Sequence, residues 1–296
     1  MTGQTSAADA RRLAKIYQDV PAAELEAFRR FRRDHPPRAV EIAGRTWSFL
    51  AGGTGDRTLL FLPGAQGTAE AVWSSFDHFE KRFHCLAPSY PPVATMTELA
   101  DGLAALLDRE GVERAAVIGG SYGGFVAQVF VRQHPDRVER LILSHTGPPA
   151  PSRGQVIEKS LRWLPRLPMF LLRLQYRKVM TRVLPHRPEL ALVRAYLEEI
   201  ATFHLTKEGM INGYRRVVDY DLSHRFEPGD LAGWPGRVLL LLGDNDPAIP
   251  EPIRERMKAL YPGAEVRIFE GSGHAAGVLK RDEYVASMET FLTSPP

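Results

Sequence analysis

Short apolar segments separated by helix-length stretches dominate this 296-residue chain. Each segment is four to six residues long, which is typical of a strand buried on both faces. Such strands alternating with amphipathic helices predict an α/β fold, with a mostly parallel central sheet and helices on both faces. The predicted strands are 58–62, 83–87, 115–118, 138–143, 238–242 and 266–269, and the predicted helices are about 69–80, 97–109, 122–133, 251–260 and 281–292.

The start of the chain has a different pattern. Residues 7–33 have apolar positions at helical spacing, interrupted by a proline, so residues 1–37 are predicted to form an N-terminal segment of one or two helices. Residues 38–42 and 46–51 then alternate around a two-residue Ala-Gly turn. This pattern predicts a hairpin that enters the sheet in antiparallel fashion.

The strand and helix alternation breaks once, between His145 and about Asp230. Helical spacing and scattered prolines replace the strand pattern there. An insertion of this size at one sheet edge predicts a helical cap at 150–227, within an α/β core formed by 38–149 and 228–296.

Composition narrows the class of protein further. With 44% hydrophobic and 25% charged residues, the chain matches an ordinary globular protein. The N-terminus lacks a signal peptide pattern, and no apolar run approaches the roughly 20 residues that span a bilayer, so we expect a cytoplasmic protein without a membrane span. The single cysteine, Cys85, lies among apolar residues and is expected to be a buried thiol.

Several ligand classes have no sequence support. No nucleic-acid reader motif occurs, and no Cys/His cluster has metal-ligand spacing. No dinucleotide fingerprint follows the first parallel strand. We therefore expect neither a metal nor a cofactor.

A glycine-rich turn is the first candidate for chemistry. The strand predicted at 115–118 runs into the sequence GGSYGG and then a helix, which is the context of a nucleophile elbow that presents Ser121 above the sheet. Gly119 and Gly123, two residues on either side of Ser121, avoid clashes across this turn. The alternative is a turn that binds phosphate on its amides, although the spacing and lysine of a P-loop are missing.

A serine nucleophile needs a base to take its proton and an acid to orient that base. Asp244 and Asp246 follow one predicted strand, and His274 lies in a glycine-rich loop after the next. Parallel strands end at a common edge, so these loops are predicted to meet near Ser121. We assign Asp246 as the acid because Asp244, directly at the strand end, is expected to turn back into its own loop or to cap residues 245–247.

The oxyanion that forms during acyl transfer needs two hydrogen-bond donors. We predict the amide of Tyr122 as one donor and the amide of Ala65, in the PGAQG loop, as the other. An ordinary glycine-rich turn is the alternative for that loop. Further candidates for the pocket are Gly64, Gln66, His145 and Trp163.

Residues 38–293 resemble the α/β-hydrolase superfamily through the motifs FLPGAQG, GGSYGG, LLGDND and GSGH. Within it, the stretches LLFLPGAQGTAEAVW, APSYPP and GGSYGGFVAQ are similar to the branch containing maspardin, better known as a protein-binding adaptor. Many superfamily members have His-Gly where this chain has Pro63-Gly64. This difference concerns the loop that is predicted to form part of the oxyanion hole, so the geometry of that site can differ from the family pattern. His274 is present, although that branch does not always retain it, and its presence implies an active enzyme.

The predicted cap is strongly basic. Between residues 151 and 188, nine Lys and Arg face one acid, Glu158, and apolar side chains are interleaved with them. This pattern fits a solvated face, a surface for peripheral contact with anionic lipid, or a site for an acidic substrate group. The basic residues are Arg153, Lys159, Arg162, Arg166, Arg173, Arg177, Lys178, Arg182 and Arg187.

These features predict a serine hydrolase that cleaves a carboxylic ester of a small-molecule acyl substrate through an acyl-enzyme. Thioesters, amides, lactones and the C–C bonds of diketones are cleaved by the same groups, so the bond type stays open. The resemblance to maspardin implies an alternative of another class, an adaptor that kept the fold and lost useful turnover.

Overall fold

The computed structural model describes residues 6–295, which form one eight-stranded sheet. The strands are β1 (Arg38–Ile42), β2 (Arg45–Gly52), β3 (Thr58–Leu62), β4 (His84–Ser89), β5 (Ala115–Gly120), β6 (Val138–Ser144), β7 (Arg237–Gly243) and β8 (Glu265–Phe269). Their order is β1-β2-β4-β3-β5-β6-β7-β8, with β2 antiparallel to both neighbours and all other pairs parallel. The predicted mostly parallel sheet is confirmed.

The hairpin at the start of the sheet turns through two residues with positive φ. Ala43 and Gly44 have φ values of 49° and 72°, as a type I′ turn requires. Its twist matches that of the flanking strands, so β1 and β2 pair in register from Arg38–Phe49 to Ile42–Arg45.

Helices cover both faces of the sheet. Leu60 and Leu62 of β3 point into one buried cluster, and Leu59 and Phe61 point into another on the opposite face. The helices are α1 (Ala7–Ile16), α2 (Ala22–Asp34), α3 (Trp73–Phe79), α4 (Met96–Arg109), α5 (Tyr122–Gln133), α6 (Pro151–Leu161), α7 (Met169–Val183), α8 (Ala191–Glu199), α9 (Lys207–Ser223), α10 (Glu251–Leu260), α11 (Ala276–Leu279) and α12 (Arg281–Thr293). Side chains of α4, α5 and α10 fill the first cluster, and those of α3 and α12 fill the second.

Some predicted elements differ in detail. The helix expected at 69–80 begins as a 3₁₀ turn, Ala69–Val72, so only α3 is α-helical. The prediction that every parallel strand is buried on both faces is wrong for β8, where Ile268 is 51% exposed. β8 is the last strand of the sheet, and strand order cannot be read from its composition. Cys85 is buried in β4, as expected.

Between β6 and β7 the chain leaves the sheet. Residues 145–236, all of which the structure describes, contain helices and turns but no strand. We call residues 151–223, from α6 to α9, the helical insertion. It contacts the core through Tyr220 of α9, which stacks on Phe125 of α5 with ring centroids 4.5 Å apart. Across the described residues, no helix is both long and apolar enough to cross a membrane.

The N-terminal helices are joined to the helical insertion by a partly buried ion cluster. Phe28 of α2 packs edge-on against Tyr196 of α8, at 5.6 Å between ring centroids. Next to them, Arg32 lies 2.7 Å from Glu70, which follows β3, and 3.0 Å from Glu199, which ends α8. One arginine therefore links the N-terminal helices, the insertion and the loop after β3.

Candidate active site

Ser121 lies at the sharp turn between β5 and α5. Its backbone has φ 52° and ψ −119°, a strained conformation that residues other than glycine rarely adopt. The Ser121 N–H donates to the carbonyl of Ser144 at 2.8 Å. The Ser121 carbonyl accepts from the Gly124 N–H at 3.0 Å and from the Thr146 hydroxyl at 2.8 Å. These bonds hold the turn, which ends β5 at the carboxyl edge of the sheet.

The two glycines flanking Ser121 allow backbone contacts that a side chain would block. A Cβ on Gly119 would lie 2.4 Å from the carbonyl oxygen of Gly123. A Cβ on Gly123 would lie 2.2 Å from the carbonyl oxygen of Leu62. The turn can therefore pack against the end of β3 only with glycine at both positions.

Asp246 and His274 form a buried hydrogen-bonded pair. The Nδ1 of His274 lies 2.6 Å from Oδ2 of Asp246. The other oxygen of Asp246 accepts the N–H groups of Ala248 and Ile249, at 2.8 and 3.1 Å. Burial acts to raise the pKa of the Asp246 carboxyl, but the hydrogen bond with His274 and the backbone donor of Ala248 hold this pKa below its usual value. The carboxylate can thus fix the imidazole with Nε2 pointing away.

Asp244 has a different role in the same loop. Its Oδ1 accepts the N–H of Asn245 and the N–H of Gly271, each at 2.8 Å. Asp244 therefore joins the loop after β7 to the loop after β8. It turns back into the loops, as its position at the strand end predicts.

The ends of β5, β7 and β8 bring Ser121, Asp246 and His274 to one edge of the sheet. His145 follows Ser144, whose carbonyl accepts the Ser121 N–H, and the rings of His145 and His274 are 5.5 Å apart. Within residues 6–295 the Ser121 hydroxyl makes no hydrogen bond. In free enzymes the catalytic hydrogen bonds are often long or poorly aligned, and they tighten when substrate binds.

The two predicted oxyanion donors border a cavity of about 330 Å³. Ala65 and Tyr122 both line it. The loop that carries Ala65 is held by the Tyr90 hydroxyl, which donates to the carbonyl of Pro63 at 2.9 Å, and by a 2.9 Å turn bond between Gly67 and Gly64. The loop is thus ordered although Pro63 replaces the more common histidine.

The cavity lies between the loop after β3 and the helical insertion. Of the predicted pocket residues, Gln66 lines it, and Gly64 lies beside Ala65 without lining it. The structure does not bring Trp163 to the cavity, since its side chain is 66% exposed on the outside of the insertion. The insertion contributes mainly apolar side chains, among them Val179, Met180, Ile200, Leu205, Met210 and Val217.

A family model described as the alpha/beta hydrolase family matches residues 59–287. This chain belongs to the alpha/beta hydrolase family. The maspardin-like resemblance within this family stays a prediction.

The proteins similar to this alpha/beta hydrolase are named for different activities. Homoserine O-acetyltransferase of Thermus thermophilus is 50% identical over 54 residues, which is 18% of this chain and only 14% of that protein. Esterase YbfF of Escherichia coli is 22% identical over 217 residues, 72% of this chain and 80% of the esterase. The crystal structure of the enol-lactonase from Burkholderia xenovorans LB400 matches with a TM-score of 0.72 and 20% identity, over 87% of this chain and all of that one (100%).

His145 of this alpha/beta hydrolase packs edge-to-face against the His274 ring and does not line the cavity. It has a φ of 47° and is 4% exposed. Its Nδ1 is 2.7 Å from the Ser144 hydroxyl. Burial, together with the nearby His274 ring, lowers the pKa of His145 to about 4, so its imidazole is neutral at pH 7. His145 therefore packs against the candidate base without adding charge to it.

Sequence reasoning missed Arg216, a cavity-lining residue on α9. Asn212, Arg216 and Tyr220 are spaced four residues apart and are all buried. Three polar residues at that spacing lie on one face of a helix. From this spacing, the sequence could have predicted a row of polar side chains on the buried face of α9.

Proposed function

We propose that this alpha/beta hydrolase is a serine hydrolase that cleaves carboxylic esters through an acyl-enzyme. The observation that carries the proposal is the buried 2.6 Å pair of Asp246 and His274 at the same sheet edge as the strained Ser121 turn. A nucleophile, a base and an orienting acid are the three parts of this chemistry.

Each group has a defined role in the proposed reaction. Ser121 Oγ attacks the ester carbonyl carbon while Nε2 of His274 takes the hydroxyl proton, and the carbonyl π electrons move onto oxygen. The amides of Tyr122 and Ala65 stabilise that oxyanion. The oxyanion collapses, the ester C–O bond breaks and His274 gives its proton to the leaving alcohol. Water then attacks the acyl-enzyme by the same sequence, which releases the acid and restores Ser121.

The position and composition of the helical insertion are evidence for an acyl substrate. We propose that residues 150–227 act as a cap on a core formed by 38–149 and 228–296, with 1–37 as an N-terminal segment whose two described helices, α1 and α2, pack against the cap. The apolar cavity wall that the insertion supplies suits the hydrocarbon part of an acyl group. The names of an esterase and an enol-lactonase among the similar proteins support ester and lactone bonds as candidates.

Kinetics with simple esters test the proposal. We expect the purified protein to hydrolyse p-nitrophenyl esters of short fatty acids, and Ser121→Ala to reduce kcat at least 1000-fold without loss of folded structure in far-UV circular dichroism. If Ser121→Ala retains most of the activity, Ser121 is not the nucleophile. If the folded wild-type protein hydrolyses no ester, thioester or lactone, the adaptor alternative takes precedence.

Peripheral contact with anionic lipid is proposed for the outer face of the insertion. Four apolar side chains are exposed there, Val156, Trp163, Phe170 and Leu174, at 60–66%. Along the chain they alternate with Lys159, Arg162, Arg166 and Arg173, a combination suited to a membrane interface. We expect flotation with vesicles containing phosphatidylglycerol but not with phosphatidylcholine alone, and weaker flotation of Trp163→Ala/Phe170→Ala. Absence of flotation, or equal flotation of that variant, would contradict the proposal.

A further inference from the structure

Arg216 places a positive charge in the wall of the cavity that borders Ala65 and Tyr122. Its side chain extends from α9, and the residue is only 5% exposed. Burying an unpaired charge is unfavourable unless a partner compensates it. The partners of this guanidinium therefore decide what Arg216 does.

The protein satisfies three of the five guanidinium donors, and only with neutral groups. Nε donates to the Tyr122 hydroxyl at 2.5 Å, and Nη1 donates to the carbonyls of Val93 and Pro91 at 2.7 and 3.2 Å. Nη2 makes no hydrogen bond within residues 6–295, and it is not sealed from solvent. Because Arg216 lines the cavity, two N–H donors are open to a ligand.

No carboxylate in the described part of the chain forms an ion pair with Arg216. The described residues that line the cavity include no Asp or Glu, and none lies within 4.0 Å of Arg216. Asp219, three residues further along α9, is engaged elsewhere: it accepts the Met96 N–H at 2.8 Å and lies 3.5 Å from His224. A purely structural role, in which Arg216 holds Tyr122 and the loop after β4, explains the hydrogen bonds of Nε and Nη1. It does not explain why the side chain is charged or what Nη2 binds.

We propose that Arg216 binds a carboxylate carried by the substrate, so that the preferred esters are those of small molecules bearing a second, free carboxylate. This inference rests on the proposed ester hydrolysis. A planar guanidinium edge suits a carboxylate, and one uncompensated charge suits a monoanion. The apolar side chains of the insertion then contact the hydrocarbon between the two ends of the substrate.

Matched pairs of esters test the recognition of the carboxylate. On the acyl side, monomethyl succinate, glutarate and adipate are each compared with the neutral ester in which an amide replaces the free carboxylate. On the alcohol side, 4-acetoxybutanoate is compared with its amide. We expect kcat/KM to favour the anionic member of at least one pair by about tenfold or more, since hydrogen bonds to charged groups are strong. The best chain length reports the spacing between Ser121 and Arg216.

Variants separate anion recognition from damage to the Tyr122 turn. Arg216→Met is expected to lower kcat/KM for both members of a pair, because Tyr122 loses its donor, and to bring their ratio to about one. Arg216→Lys keeps the charge and is expected to retain part of the preference. Arg215→Gln removes a neighbouring arginine that is exposed and does not line the cavity, and it should leave the ratio unchanged.

The outcomes distinguish this inference from the proposed function. If the wild-type protein hydrolyses neutral esters as well as anionic ones in every pair, or if folded Arg216→Met keeps the preference, the inference is wrong and ester hydrolysis stands. If no ester of either kind is hydrolysed, the proposed function fails. Calorimetric binding of monomethyl glutarate to Ser121→Ala, lost in Ser121→Ala/Arg216→Met, supports recognition independently of turnover, and equal binding by both overturns it.

Discussion

Nδ1 of His274 lies 2.6 Å from Oδ2 of Asp246, although the two residues follow different strands of the sheet. β7 and β8 are parallel neighbours, so their carboxyl ends deliver both loops to one place. Asp244 holds the same two loops together through the N–H groups of Asn245 and Gly271. One aspartate thus orients an imidazole, and the other joins the loops that bring them together.

Exchange of each aspartate for asparagine separates these two roles. We expect Asp246→Asn to reduce kcat about 1000- to 10,000-fold, because His274 loses the carboxylate that fixes its tautomer and stabilises its protonated form. Asp244→Asn keeps an oxygen that can accept the two backbone N–H groups and should change kcat less than tenfold. Steady-state ester hydrolysis by the two purified variants checks the ranking, and the reverse order would move the orienting acid to Asp244.

Because the backbone at Ser121 is strained, a glycine at this position should give a more stable protein than an alanine. Glycine adopts a φ of 52° without the strain that alanine or serine meets. We therefore expect Ser121→Gly to have a free energy of unfolding about 1 kcal/mol higher than Ser121→Ala. Urea denaturation of both inactive variants measures this difference. Equal stability, or a less stable glycine variant, would mean that the turn stores no strain at Ser121.

The sequence predicts most of the sheet and the position of the candidate site because those signals are local. Ser121 follows an apolar strand and begins a helix, and Asp246 and His274 each lie within a few residues of a strand end. The carboxyl ends of parallel strands lie at one edge of the sheet. Three local patterns, one at each strand end, are therefore enough to predict that the three residues lie at the same edge.

The missed features depend on contacts distant in sequence. Arg216 reaches Tyr122 across 94 residues, and Arg32 reaches Glu199 across 167. Trp163 lies in the turn between α6 and α7, and the cap segment is apolar on more than one side, so its pattern does not reveal which side faces the cavity. The exposed face of β8 follows from its place in the strand order, which composition does not encode.

The buried His145 predicts a loss of stability in mild acid. Its pKa is about 4 in the folded protein, whereas an unfolded histidine titrates near 6.5. As the pH falls from about 6.5 to about 4, the unfolded chain takes up a proton that the folded chain does not, so the free energy of unfolding decreases. His145→Asn, which suits the positive φ, should flatten this dependence in urea denaturation at pH 7 and pH 5. An equally steep loss in the variant would assign the effect to other groups.

The Arg32 cluster predicts that the N-terminal helices stabilise the helical insertion. Arg32→Met leaves Glu199, whose side chain is 7% exposed, without its arginine, which should lower the free energy of unfolding by about 2–3 kcal/mol. Arg33→Met is the matched control, because Arg33 and Glu26 are both 60% exposed, and it should cost less than about 0.5 kcal/mol. Urea denaturation compares them. Equal losses would show that the cluster adds nothing beyond a surface pair.

The most direct test of the account is covalent labelling of the proposed nucleophile. The protein is incubated with a fluorophosphonate, its intact mass is measured, and the adduct is located by peptide mapping. We expect a single adduct on Ser121, absent from Ser121→Ala and formed much more slowly in Asp246→Asn, because only an activated serine reacts with this probe. An adduct on another residue, or none on the folded wild-type protein, would contradict the assignment of Ser121 as the activated nucleophile.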